Sequence, residues 1–145
     1  MPATLFDDRP SYGGVRVALF KRAQLAAADL HLAFDGAGFG RFDDILSLTI
    51  FADNLIPHVL RCDGILEYAP ELAARIDQGQ LVARDSPTEI ELRASAVVAA
   101  ELMADQLRTA GHDVTALHLD YLLWNRGQAP SYKARPRHRT RSWSY

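Results

Sequence analysis

One carboxylate stands out for its surroundings. Asp53 lies within Leu48-Thr49-Ile50-Phe51-Ala52-Asp53-Asn54-Leu55-Ile56-Pro57-His58-Val59-Leu60, a stretch that is largely apolar on both sides of it. An ionised Asp in such a setting is costly unless it is paired, hydrogen-bonded or used in chemistry. Pro57 lacks an N–H and is suited to the first turn of a helix, so a helix carrying Val59 and Leu60 starts no earlier than about Asn54. Asp53 then stands at or just before the positive end of that helix, which favours the charged carboxylate. Two roles fit these residues. Asp53 is either an N-cap, for which Asp is a preferred type, or a reactive carboxylate.

A second carboxylate raises the same question. Asp120 falls in the middle of Leu119-Asp120-Tyr121-Leu122-Leu123-Trp124, an otherwise apolar helix. Buried and ionised, it needs a partner, and Arg93 or an arginine of the tail could supply one. Lys21 and Arg22 could hold a phosphate, lysine as a point charge and arginine as a fork, or could simply form the polar face of a helix. Glu89, Glu91 and Arg93 read as caps and structural ion pairs. His112 and His118 lack the spacing of a helical metal motif, so no metal site is expected. Cys62 has no activating neighbour beyond Arg61 and reads as packing. No phosphate loop is present: Asp35-Gly36-Ala37-Gly38-Phe39-Gly40 follows a helix rather than a strand and reads as a plain loop.

The elements that must position these groups are helical. Residues 1–14, punctuated by Pro2, Pro10, Gly13 and Gly14, read as an irregular lead-in. A helix is expected from Val15 to about Phe34, with Leu19, Ala23, Ala26 and Leu30 striping one face. A short helix follows near Phe42–Leu46, then the Asp53 turn and a helix to about Arg61, stopped by Asp63-Gly64. Pro70 opens another, closed near Gly79. Ser86-Pro87-Thr88-Glu89 combines a serine cap, a proline at the first helical position and a glutamate third, a capping box for a helix to about Ala110. That helix carries one apolar line through Ile90, Ala94, Val97 and Val98 and another through Ala99, Met103, Leu107 and Ala110, as a central helix would. Asp113 is placed to cap the next, Val114 to about Arg126. No convincing period-two run appears before the tail, so the fold class is all-α.

Composition narrows the function classes. A chain of 145 residues reads as a single domain, residues 1–145, and 48% hydrophobic with 23% charged residues is ordinary for a soluble globule. A net charge of −2 argues against binding nucleic acid through overall charge, and no direct nucleic-acid contact is expected. Lys133, Arg135, Arg137, Arg139 and Arg141 alternate at period two. They are either a phosphate contact or a solvated arm packed on the domain and anchored by Trp143 and Tyr145; the second is favoured against the negative net charge. One cysteine excludes a disulfide framework. Met1 to Pro10 has no signal-peptide core and no apolar run approaches membrane length, so a cytoplasmic protein without membrane association is expected.

The Asp53 segment also carries a family resemblance. Leu48-Thr49-Ile50-Phe51-Ala52-Asp53 with Ile56-Pro57-His58-Val59-Leu60 resembles the central motif of the queuosine salvage proteins, the queuosine 5′-phosphate N-glycosylase/hydrolases. Phe20-Lys21-Arg22-Ala23-Gln24, Glu89-Ile90-Glu91-Leu92-Arg93-Ala94, Leu119-Asp120-Tyr121-Leu122-Leu123-Trp124 and His138-Arg139-Thr140-Arg141, running to Tyr145, agree in the family's order. The resemblance covers nearly the whole chain, but only the C-terminal half or so of the family.

The resemblance implies a compact, DNA-glycosylase-like helical architecture and hydrolysis of the N-glycosidic bond of queuosine 5′-phosphate, releasing queuine for tRNA modification. It assigns Asp53 to the sugar, where a carboxylate stabilises an oxocarbenium-like transition state, attacks it or activates water. It makes Phe51 a wall for the planar base, Asp120 and Tyr121 base-binding residues, and Lys21 a phosphate contact. Asn125 departs from the family's usual Asp and puts the grip on the base's cationic arm in question. No cofactor is implied. With the N-terminal part of the family absent, the resemblance also admits a truncated or split member that binds the deazapurine without hydrolysing it alone, and implies self-association or a second polypeptide supplying the rest.

Overall fold

The computed structural model describes residues 5–145. A two-residue hairpin, β1 (Ser11–Tyr12) antiparallel to β2 (Val15–Arg16), precedes α1 (Lys21–Ala33). Two 3₁₀ turns, Gly38–Gly40 and Ile45–Ser47, lead to the Asp53 loop. Then follow α2 (Ile56–Cys62), α3 (Pro70–Asp77), α4 (Pro87–Thr109), α5 (Ala116–Arg126) and the single-turn α6 (Pro130–Lys133). Helices dominate, and the all-α class holds.

The core forms where α2, α4 and α5 pack on one another. Short α2 is buried along nearly all its length, and its Ile56, Val59 and Leu60 are inaccessible to solvent. Each such side chain stabilises the fold by roughly 1.5–3 kcal/mol. From α4, Ala96, Ala100 and Ala104 face inward at four-residue spacing, small enough for the helices to approach closely. Gly127 makes another close approach: a Cβ there would lie 2.9 Å from the side chains of both Leu55 and Val59. A second cluster, Ala28, Ile45, Phe51 and Leu117, joins α1 and the Asp53 loop to α5.

Both ends of α4 match the sequence reading. Ser86 Oγ accepts the Glu89 N–H at 3.3 Å, and Gly111 ends the helix region at φ 90°. The Glu89 carboxylate does not return to the cap as a full capping box requires; it bonds Arg93 instead. Three expectations are corrected. Residues 11–16 form a hairpin, and α1 starts at Lys21 rather than Val15 because Phe20 turns left-handed at φ 48°. The expected stripe on α1 is absent: Leu30 is exposed and Ala28 is the buried residue. Thr115, not Asp113, caps α5, in a reciprocal box with His118.

The tail packs on the domain. Arg139 O accepts the Val82 N–H at 2.9 Å, and His138 O accepts from Asn54 Nδ2 at 3.2 Å. His138 and Ser144 are buried, whereas the alternating cations from Lys133 to Arg141 all face solvent. The Arg84 guanidinium stacks on Trp143, and that of Arg93 lies over Tyr145. The packed arm is therefore the reading that holds. Among the described residues no helix is long and apolar enough to cross a membrane.

Candidate active site

Proline forces the chain to enter α2 from outside the helix, and Asp53 occupies that entry. Asp53 Oδ1 accepts the N–H groups of Leu55 at 2.7 Å and Ile56 at 3.4 Å. The N-cap of α2 is Leu55, so Asp53 stands two positions ahead of the cap position expected for it, and one of its oxygens holds the two amides at the helix mouth. The other, Oδ2, stands 4.0 Å from Lys21 Nζ, with both side chains 16% exposed. The cap and the free carboxylate oxygen are two ends of one side chain, so a capping role and a chemical role are compatible.

A cavity of about 330 Å³ adjoins this pair of residues. Lys21 and Leu25 of α1, Phe51 and Asp53 of the loop, Ile56 of α2, and Asp120, Tyr121, Trp124 and Asn125 of α5 line it. Asp53, Phe51, Asp120, Tyr121, Asn125 and Lys21, all singled out from the sequence, thus border one space. Arg22 does not border it. Leu25, Ile56 and Trp124 do, although nothing in their types distinguishes them from core residues in the sequence.

Asp120 is buried, and its Oδ1 accepts the Phe51 N–H at 2.7 Å. Burial pushes its carboxyl up to about 6, against the hydrogen bond from Phe51, which favours the charged form; the neighbouring Asp53 charge also raises it, and Lys21 lowers it. The expected partners, Arg93 or a tail arginine, are not its partners: a backbone amide is. The Tyr121 ring meets Phe51 edge-on with centroids 6.3 Å apart, and its hydroxyl is buried without a hydrogen-bond partner among the described residues. Asn125 Nδ2 donates to Tyr121 O at 2.8 Å, which leaves Oδ1 as the free acceptor. The cavity therefore combines an aromatic pair whose tyrosine keeps a free hydroxyl among the described residues, a buried carboxylate and an Asp–Lys pair.

Two groups that hold this arrangement were not legible as such. Arg93, 1% exposed, donates through Nε to Ala52 O at 2.8 Å, the carbonyl directly before Asp53. Its other nitrogens reach Asp8 and Glu89, both buried. Asp8 Oδ2 in turn accepts the Lys21 N–H at 3.3 Å, and Asp8 O accepts the Leu19 and Phe20 amides. One buried ion cluster thus fixes both the start of α1 and the Asp53 loop. Gln24 adds a second tie: its Oε1 accepts the Thr49 N–H at 2.8 Å, and its Nε2 donates to Leu19 O. The expectation that Glu89 and Arg93 form structural ion pairs holds; Asp8, in the supposed irregular lead-in, is the member that sequence reading missed.

Among the described residues no cluster of His, Cys, Asp and Glu could hold a metal ion. A family model described as "Queuosine salvage protein" matches residues 3–145. A Sphaerobacter thermophilus protein named queuosine 5′-phosphate N-glycosylase/hydrolase is 41% identical over 140 residues, covering 97% of this chain and 43% of that protein. Proteins of the same name from Dictyostelium discoideum and Mus musculus are 40% and 33% identical; the chain covers 42% and 44% of them. The chain spans less than half the length of these relatives, consistent with a C-terminal portion.

Proposed function

The chain belongs to the queuosine salvage family, and on that premise we propose that its cavity takes queuosine 5′-phosphate and hydrolyses the N-glycosidic bond. The observation that carries this reading is the divided use of Asp53: Oδ1 accepts two amides at the mouth of α2 while Oδ2 stands 4.0 Å from Lys21 Nζ, and both residues line the cavity. A carboxylate so held is preorganised to stabilise positive charge on the ribose as the bond from C1′ to the base nitrogen breaks. Water adds at C1′ and gives up a proton, and the departing deazapurine nitrogen takes one up. The products are queuine and ribose 5-phosphate.

The other residues divide between base and phosphate. Phe51 and Tyr121 offer aromatic faces and edges to the planar base. Asp120 accepts from the N–H groups of its edge or from its cationic arm, and a charge-assisted bond of this kind is about twice as strong as a neutral one. Lys21 neutralises the 5′-phosphate. Asn125 offers Oδ1 without a charge.

A second reading follows from length: the chain covers about 43% of the Sphaerobacter relative. In this reading the chain binds the base, and turnover requires a second polypeptide carrying the rest of the family's sequence. Incubation of the purified chain with queuosine 5′-phosphate, with queuine release followed by chromatography, separates the two. Release that is lost on Asp53→Asn supports hydrolysis by this chain. Binding of queuine without release supports the second reading. Neither binding nor release would overturn both.

A further inference from the structure

Helix α4 carries apolar residues on two opposite sides, and only one of these sides is covered. Ala96, Ala100 and Ala104 are buried against α2 and α5. On the opposite side Val98 is 58% and Leu102 60% exposed. These two residues, with Met103, form one wall of an apolar groove of about 930 Å³, completed by Val17, Ile65 and Leu66. A groove of this size is unusual on a finished surface, where large apolar patches mark interaction sites. From Ile90 to Leu107 it follows α4 for roughly 25 Å at 1.5 Å per residue, the length of a helix of about 17 residues.

The occupant is indicated by the part of its relatives that the present chain does not cover. It aligns along 97% of its length with the Sphaerobacter relative but accounts for only 43% of that protein. More than half of the relative must pack somewhere, and a central helix with one bare apolar face supplies the surface. We infer that this groove receives an amphipathic helix from the part of the family's polypeptide that lies outside the present chain. The inference rests on the family reading above, and specifies where the complementing polypeptide docks.

The test is co-expression of the tagged chain with the part of the Sphaerobacter thermophilus relative that lies outside the matched region. Affinity purification and light scattering should yield a one-to-one complex. Leu102→Glu should reduce recovery at least tenfold while leaving the melting temperature of the chain unchanged, because Leu102 is already solvent-facing. Arg135→Glu, a tail substitution outside the groove, should leave recovery intact. Recovery unaffected by Leu102→Glu would overturn the inference, as would no recovery at all or a homodimer of the chain that Leu102→Glu dissociates. Asp53→Asn in the same complex separates the two proposals. An intact complex without loss of hydrolysis strikes the catalytic reading alone, and a complex indifferent to Leu102→Glu strikes the docking surface alone.

Discussion

Asp120→Asn should make the protein more stable and a poorer binder. The carboxyl of Asp120 sits at about 6 in the fold against an ordinary value of 3.8, chiefly because it is buried. A group raised in this way binds more protons folded than unfolded between those two values, so stability falls as pH rises through the window. At ~1.4 kcal/mol per pH unit, keeping it ionised at neutral pH costs about 3 kcal/mol. Asparagine removes that cost and retains an oxygen to accept the Phe51 N–H. Its neutral hydrogen bond is weaker, so the expected gain at pH 7.5 is about 1–3 kcal/mol. Urea unfolding of both chains from pH 4 to 7.5 provides the measurement. The stability difference should be small near pH 4, grow up to about pH 6 and then level off. His138 acts in the opposite sense. Burial pushes it down to about 4, so its contribution is lost as pH falls from 6.5 toward 4, but it is the same in both chains and cancels in the difference. Queuine affinity should fall at least tenfold in Asp120→Asn. A stability difference independent of pH, or a less stable variant at pH 7.5, would refute the assignment of Asp120 as a buried, unpaired carboxylate kept for its ligand.

Two further substitutions probe the surrounding scaffold and the base site. Arg93→Ala leaves Asp8 and Glu89 buried without their cation and should lower stability by about 3–5 kcal/mol in chemical denaturation; a loss below about 1 kcal/mol would show that the cluster does not hold the site together. Asn125→Asp restores a charge at a position that lines the cavity, and a charge-assisted bond contributes about 1.5–3 kcal/mol, so calorimetry should show queuine binding strengthened about tenfold; unchanged affinity would place the cationic arm elsewhere.

The parts of the fold legible in the sequence were those governed by local chemistry. Ser86 and Pro87 mark the start of α4, and Pro57 places Asp53 outside α2, because caps and prolines act within one turn. Asp53 and Asp120 stood out because a carboxylate in apolar sequence demands an explanation, whereas Phe51, Tyr121 and Asn125 were named only through the family resemblance. The tail's alternation set its cations apart, and all five face solvent; the burial of His138 was not read from the sequence. What was not legible depends on distance. Asp8 meets Arg93 from 85 positions away, so a residue that fixes the start of α1 looked like part of a loose leader. The left-handed turn at Phe20 displaced α1 by six residues from its expected start, and an aromatic residue gives no local sign of such a turn. The choice between cap and catalyst at Asp53 looked exclusive in sequence; in the structure one oxygen holds amides at the mouth of α2 and the other stands beside Lys21, so the two roles no longer exclude each other.

The claim that Asp53 does the chemistry is tested most directly by the hydrolysis rate of Asp53→Asn on queuosine 5′-phosphate, measured beside its melting temperature, for the chain alone and with the complementing polypeptide. Asparagine caps a helix about as well as aspartate, and its Oδ1 can accept the same Leu55 and Ile56 amides. It cannot supply the negative charge that Oδ2 sets beside Lys21. The account predicts an unchanged melting temperature and hydrolysis lower by on the order of 10²-fold or more. Hydrolysis at the parent rate would mean that Asp53 is a cap and nothing else.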